Sequence, residues 1–154
     1  MEYLMTYGWA ILVIVIVLAA LIYMGTFNLA TKSPDTCNFQ VGLHCQSWRL
    51  DASDDNVTIH IINGYQQYIN VTQVLCQTQG TTGVWTTYPQ PVEIAPQRDA
   101  WLTIDHCYDN NGAQINFEQG EMFTGKAMVQ FYFRNEGLGM PRRNTADVKF
   151  TAQP

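Results

Sequence analysis

The hydrophobic pattern of the chain changes once, between Thr31 and Cys37. From Tyr3 to Thr31 no charged side chain occurs, and from Ala10 to Met24 every residue is apolar or Tyr. From Cys37 onward the pattern has a period of two. Val57, Ile59 and Ile61 alternate with Thr58, His60 and Ile62, and Ile69 and Val71 with Asn70 and Thr72. Ala113, Ile115 and Phe117 alternate with Gln114, Asn116 and Glu118. The clearest cases are Val129, Phe131 and Phe133 against Gln130, Tyr132 and Arg134, and Ala146, Val148 and Phe150 against Asp147, Lys149 and Thr151. Such alternation, broken by Gly, Asn and Asp clusters, predicts short antiparallel strands. Asn63-Gly64 and Asp109-Asn110-Asn111-Gly112 supply turns.

The N-terminal run is rich in Val and Ile, and by propensity alone it passes for a buried strand. Its length argues for helix instead. Roughly 20 apolar helical residues suffice to cross a bilayer, where a segment must satisfy its own backbone hydrogen bonds. Gly25-Thr26 with Asn28 marks the fraying end, and Lys32-Ser33-Pro34-Asp35 marks the exit, because Pro34 disfavours helix at the residue before it. The expected organisation is a hydrophobic helix over 1–31, a linker over 32–36 and a β-rich head over 37–154. The expected fold class is α+β: a long hydrophobic N-terminal α-helix followed by an antiparallel β-sandwich, Ig-like or similar. No internal repeat or heptad stands out.

About 120 residues remain for the head, enough for one domain with a modest core. Asp and Glu number 13 against 8 Lys and Arg, which argues against a nucleic-acid partner. Four cysteines, Cys37, Cys45, Cys76 and Cys107, permit three complete pairings. None forms a Cys-x-x-Cys pair and the three histidines do not stand at zinc-finger spacing, so disulfides are favoured over metal. Cys37 with Cys45 would close a short loop, and Cys76 with Cys107 a longer one. Asn56-Val57-Thr58 and Asn70-Val71-Thr72 are glycosylation acceptors by pattern, at Asn56 and Asn70. With an even cysteine count they place the head outside the cytoplasm and the N-terminus inside. Lys32 follows the helix and nothing basic precedes it, against the positive-inside tendency; a basic leader removed ahead of Met1 reconciles the two.

No enzyme signature emerges, and neither a cofactor nor a metal is expected. Asp105 and His106 stand next to Cys107, but neighbours along a strand face opposite ways, and a structural role is favoured. Asp51, Asp54, Asp55 and Asn56 form an acidic turn whose spacing fails the EF-hand pattern. Gly137 to Arg143 reads as an exposed basic loop. Trp48, Trp85 and Trp101 read as core or intersubunit packing, and a sugar-binding platform has no support from the sequence.

The run Glu2-Tyr3-Leu4-Met5-Thr6-Tyr7-Gly8-Trp9-Ala10-Ile11-Leu12, followed by a Val/Ile stretch and Tyr23-Met24-Gly25, closely resembles archaeal type IV pilins. Cys37-Asn38-Phe39, Gly42 and Cys45 resemble the start of the head domains in that group. The related swimming-filament subunits, the archaellins, usually word this segment differently. The resemblance implies a pre-pilin cut by a dedicated membrane peptidase and assembled by a cytoplasmic ATPase and a membrane platform protein. The product is an extracellular homopolymer at the cell surface, with helices inside and heads outside, used for adhesion. It also implies that a glutamate near the mature N-terminus neutralises a neighbour's terminal amine. Glu2 matches that position, although the residues expected before it are missing and only Met1 precedes it. The assembly surface is expected on Glu2, Tyr3, Leu4, Thr6, Tyr7, Gly8, Trp9, Ile11, Ile14 and Leu18. Gly8 permits close helix approach, and Glu2 is costly in an apolar setting unless paired; alternatively it marks the membrane edge. The rival reading is a single-span membrane-anchored extracellular binding domain that stays monomeric.

Overall fold

A computed structural model describes residues 2–23, 34–79 and 83–154, with side chains in the helix from Tyr7 onward. The chain divides into two compact units, one up to Pro34 and the other Asp35–Pro154. The first contains helix α1, Glu2–Tyr23, of 22 residues. Its Val/Ile-rich sequence is helical despite the strand propensity of those residues, as length predicts. The expected continuation to residue 31 and the exit at Lys32 lie outside the described residues. Among the described residues no helix is long and apolar enough to cross a membrane, which corrects the expected transmembrane span.

Among its described residues the second unit holds ten strands: β1 Thr36–Phe39, β2 Leu43–Asp51, β3 Asn56–Asn63, β4 Ile69–Gln77, β5 Thr86–Ile94, β6 Asp99–Ile104, β7 Cys107–Tyr108, β8 Gln114–Ile115, β9 Met122–Phe133 and β10 Arg142–Gln153. They form one ten-stranded sheet in the order β6-β3-β2-β10-β9-β4-β7-β8, with β1 also on β10 and β5 also on β4. The fold class therefore needs correcting. Among the described residues the chain is mostly β with a single short N-terminal helix, not the α+β class with a long helix, and the head is a curled half-barrel sheet, with which the expected β-sandwich is partly consistent.

The reason lies in β10. Along one edge it pairs with β9 from Arg142 to Thr151. Its other edge is shared: β1 takes Ala146 to Lys149 antiparallel, and β2 takes Ala152 and Gln153 in parallel. A strand that serves both wings joins them into one surface. Bulges at Gln46 in β2 and Thr72 in β4 break the register there; an extra residue bends the strand and increases its twist. The sheet thus curls until the sandwich-like core is enclosed between its own two wings. Across the mouth of the curl, the Tyr88 hydroxyl of β5 donates to the Thr103 carbonyl of β6 at 2.9 Å. β5 carries Pro89 and Pro91, which a strand tolerates when it pairs on one side only.

The predicted faces of β3, β9 and β10 are those observed. Val57, Ile59 and Ile61 point into the core with Val129, Phe131, Ala146, Val148 and Phe150, all at 2% exposure or less. Two local expectations need correction. Of the alternation from Ala113 to Phe117, only Gln114 and Ile115 form a strand, and Phe117 is held in an irregular segment. Asn63-Gly64 is not a hairpin turn, because β3 pairs with β2 and β6 and not with β4. Instead the chain passes there from one wing to the other.

Candidate functional site

Helix α1 is apolar around its whole circumference, with no charged residue after Glu2. Its described side chains are exposed from Tyr7 to Tyr23, Leu21 alone being half-buried. Among the expected assembly residues, Tyr7 is 64% exposed, Trp9 71% and Ile14 57%, and Ile11 and Leu18 are exposed as well. A methyl group built on Gly8 would meet nothing within 4 Å. No described neighbour therefore requires glycine there, although glycine in a helix interior costs about 1 kcal/mol relative to alanine. The side chains of Glu2, Tyr3, Leu4 and Thr6 lie outside the described residues.

The head is stapled twice. Cys37 bonds Cys45, and Cys76 bonds Cys107. The first joins β1 to β2, the two strands that share one edge of β10. The second joins directly paired positions of the parallel strands β4 and β7. Both sequon asparagines are half-buried on the outer side of the sheet: Asn56 opens β3, and Asn70 lies in β4 between Glu93 and Tyr132.

Two groups of side chains stand out on the convex face. One is a polar ladder across four strands, Thr87, Gln73, Gln130 and Arg143, at directly paired positions. The Arg143 Nε donates to Gln130 at 3.1 Å, the Gln130 amide to Gln73 at 3.0 Å, and the Gln73 amide to Thr87 at 2.9 Å. The Arg143 guanidinium also sits 5.2 Å over the Trp85 ring. A shallow groove of about 390 Å³ runs beside this ladder, walled by Tyr88, Pro89, Tyr132 and Leu138.

The other group lies on the opposite wing. Trp101 of β6 is paired with His60 of β3, and their rings stack 4.2 Å apart and within 4° of parallel. The His60 Nε2–H donates to the Asp99 carboxylate at 2.6 Å. That hydrogen bond is the main reason the Asp99 carboxyl titrates below the ordinary carboxylate range. Trp101 is 58% exposed, so of the two expected roles, core or intersubunit packing, the first does not hold for this residue. Trp48 does pack as expected, stacked on Phe150 at 6.1 Å.

The remaining candidates lie in turns and links. Asp105 and His106 occupy the short link between β6 and β7. In the acidic turn, Asp51 accepts from the hydroxyl and amide of Ser53, the hydroxyl being the main cause of its lowered pKa. Asp55, at a φ of 53°, accepts from the Phe117 amide at 2.7 Å. Among the described residues no group of three or more His, Cys, Asp or Glu is placed to hold a metal ion. The arginines after Gly137 do not wave free. Arg142 pairs with Glu136 at 3.1 Å, and both Arg142 and Arg143 begin β10. The stack on His60 and the four-strand ladder had no separate mark in the sequence. Outward parity of His60 and Gln130 was visible, but their partners are set by register alone.

Compared with models of known protein families the chain matches none, and it matches no curated protein.

Proposed function

We propose that this chain is a structural subunit that polymerises through α1 into an extracellular filament, in the manner of the archaeal type IV pilins its N-terminal segment resembles. One observation carries the reading: α1 is apolar on all sides and, Leu21 apart, exposed from Tyr7 to Tyr23. An amphipathic helix needs one partner surface, whereas a helix apolar all round needs apolar neighbours all round. A bundle of identical helices provides them. Burying a large aliphatic side chain stabilises by about 1.5–3 kcal/mol, so a bundle enclosing Ile11, Ile14 and Leu18 with their neighbours resists dissolution strongly. Gly8 fits the same reading, since a helix position without a side chain lets a neighbouring helix approach closely.

The head suits the outside of such a polymer. Two disulfides restrict its unfolded chain without any help from the helix, and disulfides persist in oxidising surroundings. The test is electron microscopy and sedimentation of the full chain recovered from cell-surface material, alongside an Ile14→Lys variant. Long polymers from the natural chain and small particles from the variant are expected. Small particles from both would overturn the proposal.

A further inference from the structure

The exposed indole of Trp101 is held in place by neighbours, which distinguishes it from a side chain left on the surface by chance. His60 covers one face of the ring in a near-parallel stack at 4.2 Å. The imidazole cannot turn away without breaking its 2.6 Å hydrogen bond to Asp99, and only 13% of its side chain is exposed. With one face covered and 58% of the residue exposed, the open face of the indole looks outward. It is a flat apolar plate whose orientation is set before any ligand arrives, so little ordering cost remains for binding.

The rim of the plate is polar. Residues two apart on a strand share a face and stand about 6.6 Å apart, which places Asp99 and Thr103 on either side of Trp101 along β6. Across the pairs, Thr58 stands opposite Thr103, and Ser47 stands opposite His60. His60 engages one oxygen of Asp99, and the carboxylate, with 53% of its side chain exposed, keeps lone pairs to accept from a ligand. β6 is the last strand of the sheet; Tyr88 of β5 reaches its Thr103 carbonyl, and the 58% exposure of Trp101 shows that the ring itself is reached from solvent.

We propose that Trp101 is a stacking platform for a neutral pyranose ring, with Asp99 and Thr103 engaging its hydroxyls. A pyranose with equatorial hydroxyls has a flat C–H face and a rim of donors and acceptors, matching an indole set between a carboxylate and a hydroxyl. A protein partner fits less well. Stable interfaces bury about 800 Å² on each side around an apolar core, whereas this face offers one exposed ring among Ser47, Thr58, His60, Asp99 and Thr103, with the half-buried Ile62 opposite Asp99 and Arg49 opposite Thr58. The negative Asp99 and the chain's net charge of −5 favour a neutral sugar over an acidic one. The inference concerns the head and does not depend on the filament reading. If the filament reading also holds, many copies in one polymer would turn weak single sites into firm attachment.

Cellotetraose and tetra-N-acetylchitotetraose, both neutral, titrated into the full-length protein and followed by calorimetry, provide the test. Saturable binding of one of them is expected, with Kd on the order of 1 mM. Trp101→Ala should weaken it at least about tenfold and Trp101→Tyr only a few-fold. His60→Ala, which frees the ring without touching the ligand, should fall between them. Circular dichroism should be the same for all four proteins, because Trp101 lies outside the core. Absence of saturable binding up to about 20 mM, or binding indifferent to Trp101→Ala, would overturn the proposal. So would a loss of self-association in Trp101→Ala without any sugar binding in the natural chain, which would identify another copy as the occupant.

Discussion

The side-chain amide of Asn63 donates to the carbonyl of Ile94 at 3.0 Å, in a part of the head that water does not reach. The same Nδ2 also serves the carbonyls of Gln67 and Ala95, at 2.9 and 3.2 Å, and its Oδ1 accepts from the Tyr65 amide. One fully buried polar residue thus fastens the crossover after β3 to the turn between β5 and β6. Replacing Asn63 by Asp keeps the shape but turns the donor into an acceptor facing three carbonyls. A buried group left without its partner costs about 1–3 kcal/mol, so Asn63→Asp should destabilise by on the order of 3 kcal/mol in urea unfolding at neutral pH. A variant as stable as the natural chain would refute this role.

The bond between Cys76 and Cys107 closes a loop with a sequence separation of 31 residues. Removing it returns entropy to the unfolded chain. The double variant Cys76→Ser/Cys107→Ser should lose about 2–4 kcal/mol, read from denaturant midpoints under non-reducing conditions. The bond between Cys37 and Cys45 spans only 8 residues. Its loss should cost less, because loop-closure entropy grows with the length of the loop.

Gly125 occupies an inward position of β9 where a methyl group would overlap the Gln77 carbonyl oxygen and press on the Phe123 ring. A backbone atom cannot swing aside as a flexible side chain can. Gly125→Ala is therefore expected to destabilise by about 1–3 kcal/mol. Gly120→Ala meets no atom within 4 Å but must adopt a φ of +84°, a strain of about 1 kcal/mol. Thermal melts of the two variants should separate crowding from backbone strain.

Burial pushes the Tyr88 hydroxyl up to about 12 from its ordinary 10.0. The unfolded chain then releases this proton at lower pH than the folded one. The contribution is fully present below pH 10 and is lost as pH rises toward 12. Stability should fall with a slope across that window, and Tyr88→Phe should flatten the slope while removing the contact to the Thr103 carbonyl. Unfolding midpoints at pH 9 to 12 would show it, and parallel profiles for the two proteins would contradict it.

Much of the head could be read from alternation. In β3, β9 and β10 the inward positions are Val, Ile, Phe or Ala except for Asn63, Gly125 and Asn144, and the apolar ones form the core. β5 and β6 gave a weaker signal. β5 carries two prolines and exposes most of its residues, and β6 puts a tryptophan on its outer side. The alternation at Ala113 to Phe117 misled for a related reason: after Ile115 no neighbouring strand remains to pair with. The assembly reading of α1 came from composition and from a worded N-terminal segment, neither of which needs a fold.

Sequence alone therefore determined which side chains of the main strands face inward, that an uninterrupted apolar segment precedes a β head, and that the cysteines were suited to pairing. Periodicity reports the face of a strand because side chains alternate by simple geometry. It carries no record of the neighbour. That His60 would lie under Trp101, that Gln73 would stand between Thr87 and Gln130, and that β10 would weld two wings into one curled sheet were decided only by the tertiary structure. These contacts join residues tens of positions apart, and their register follows from the joint packing of a core to which all the strands contribute.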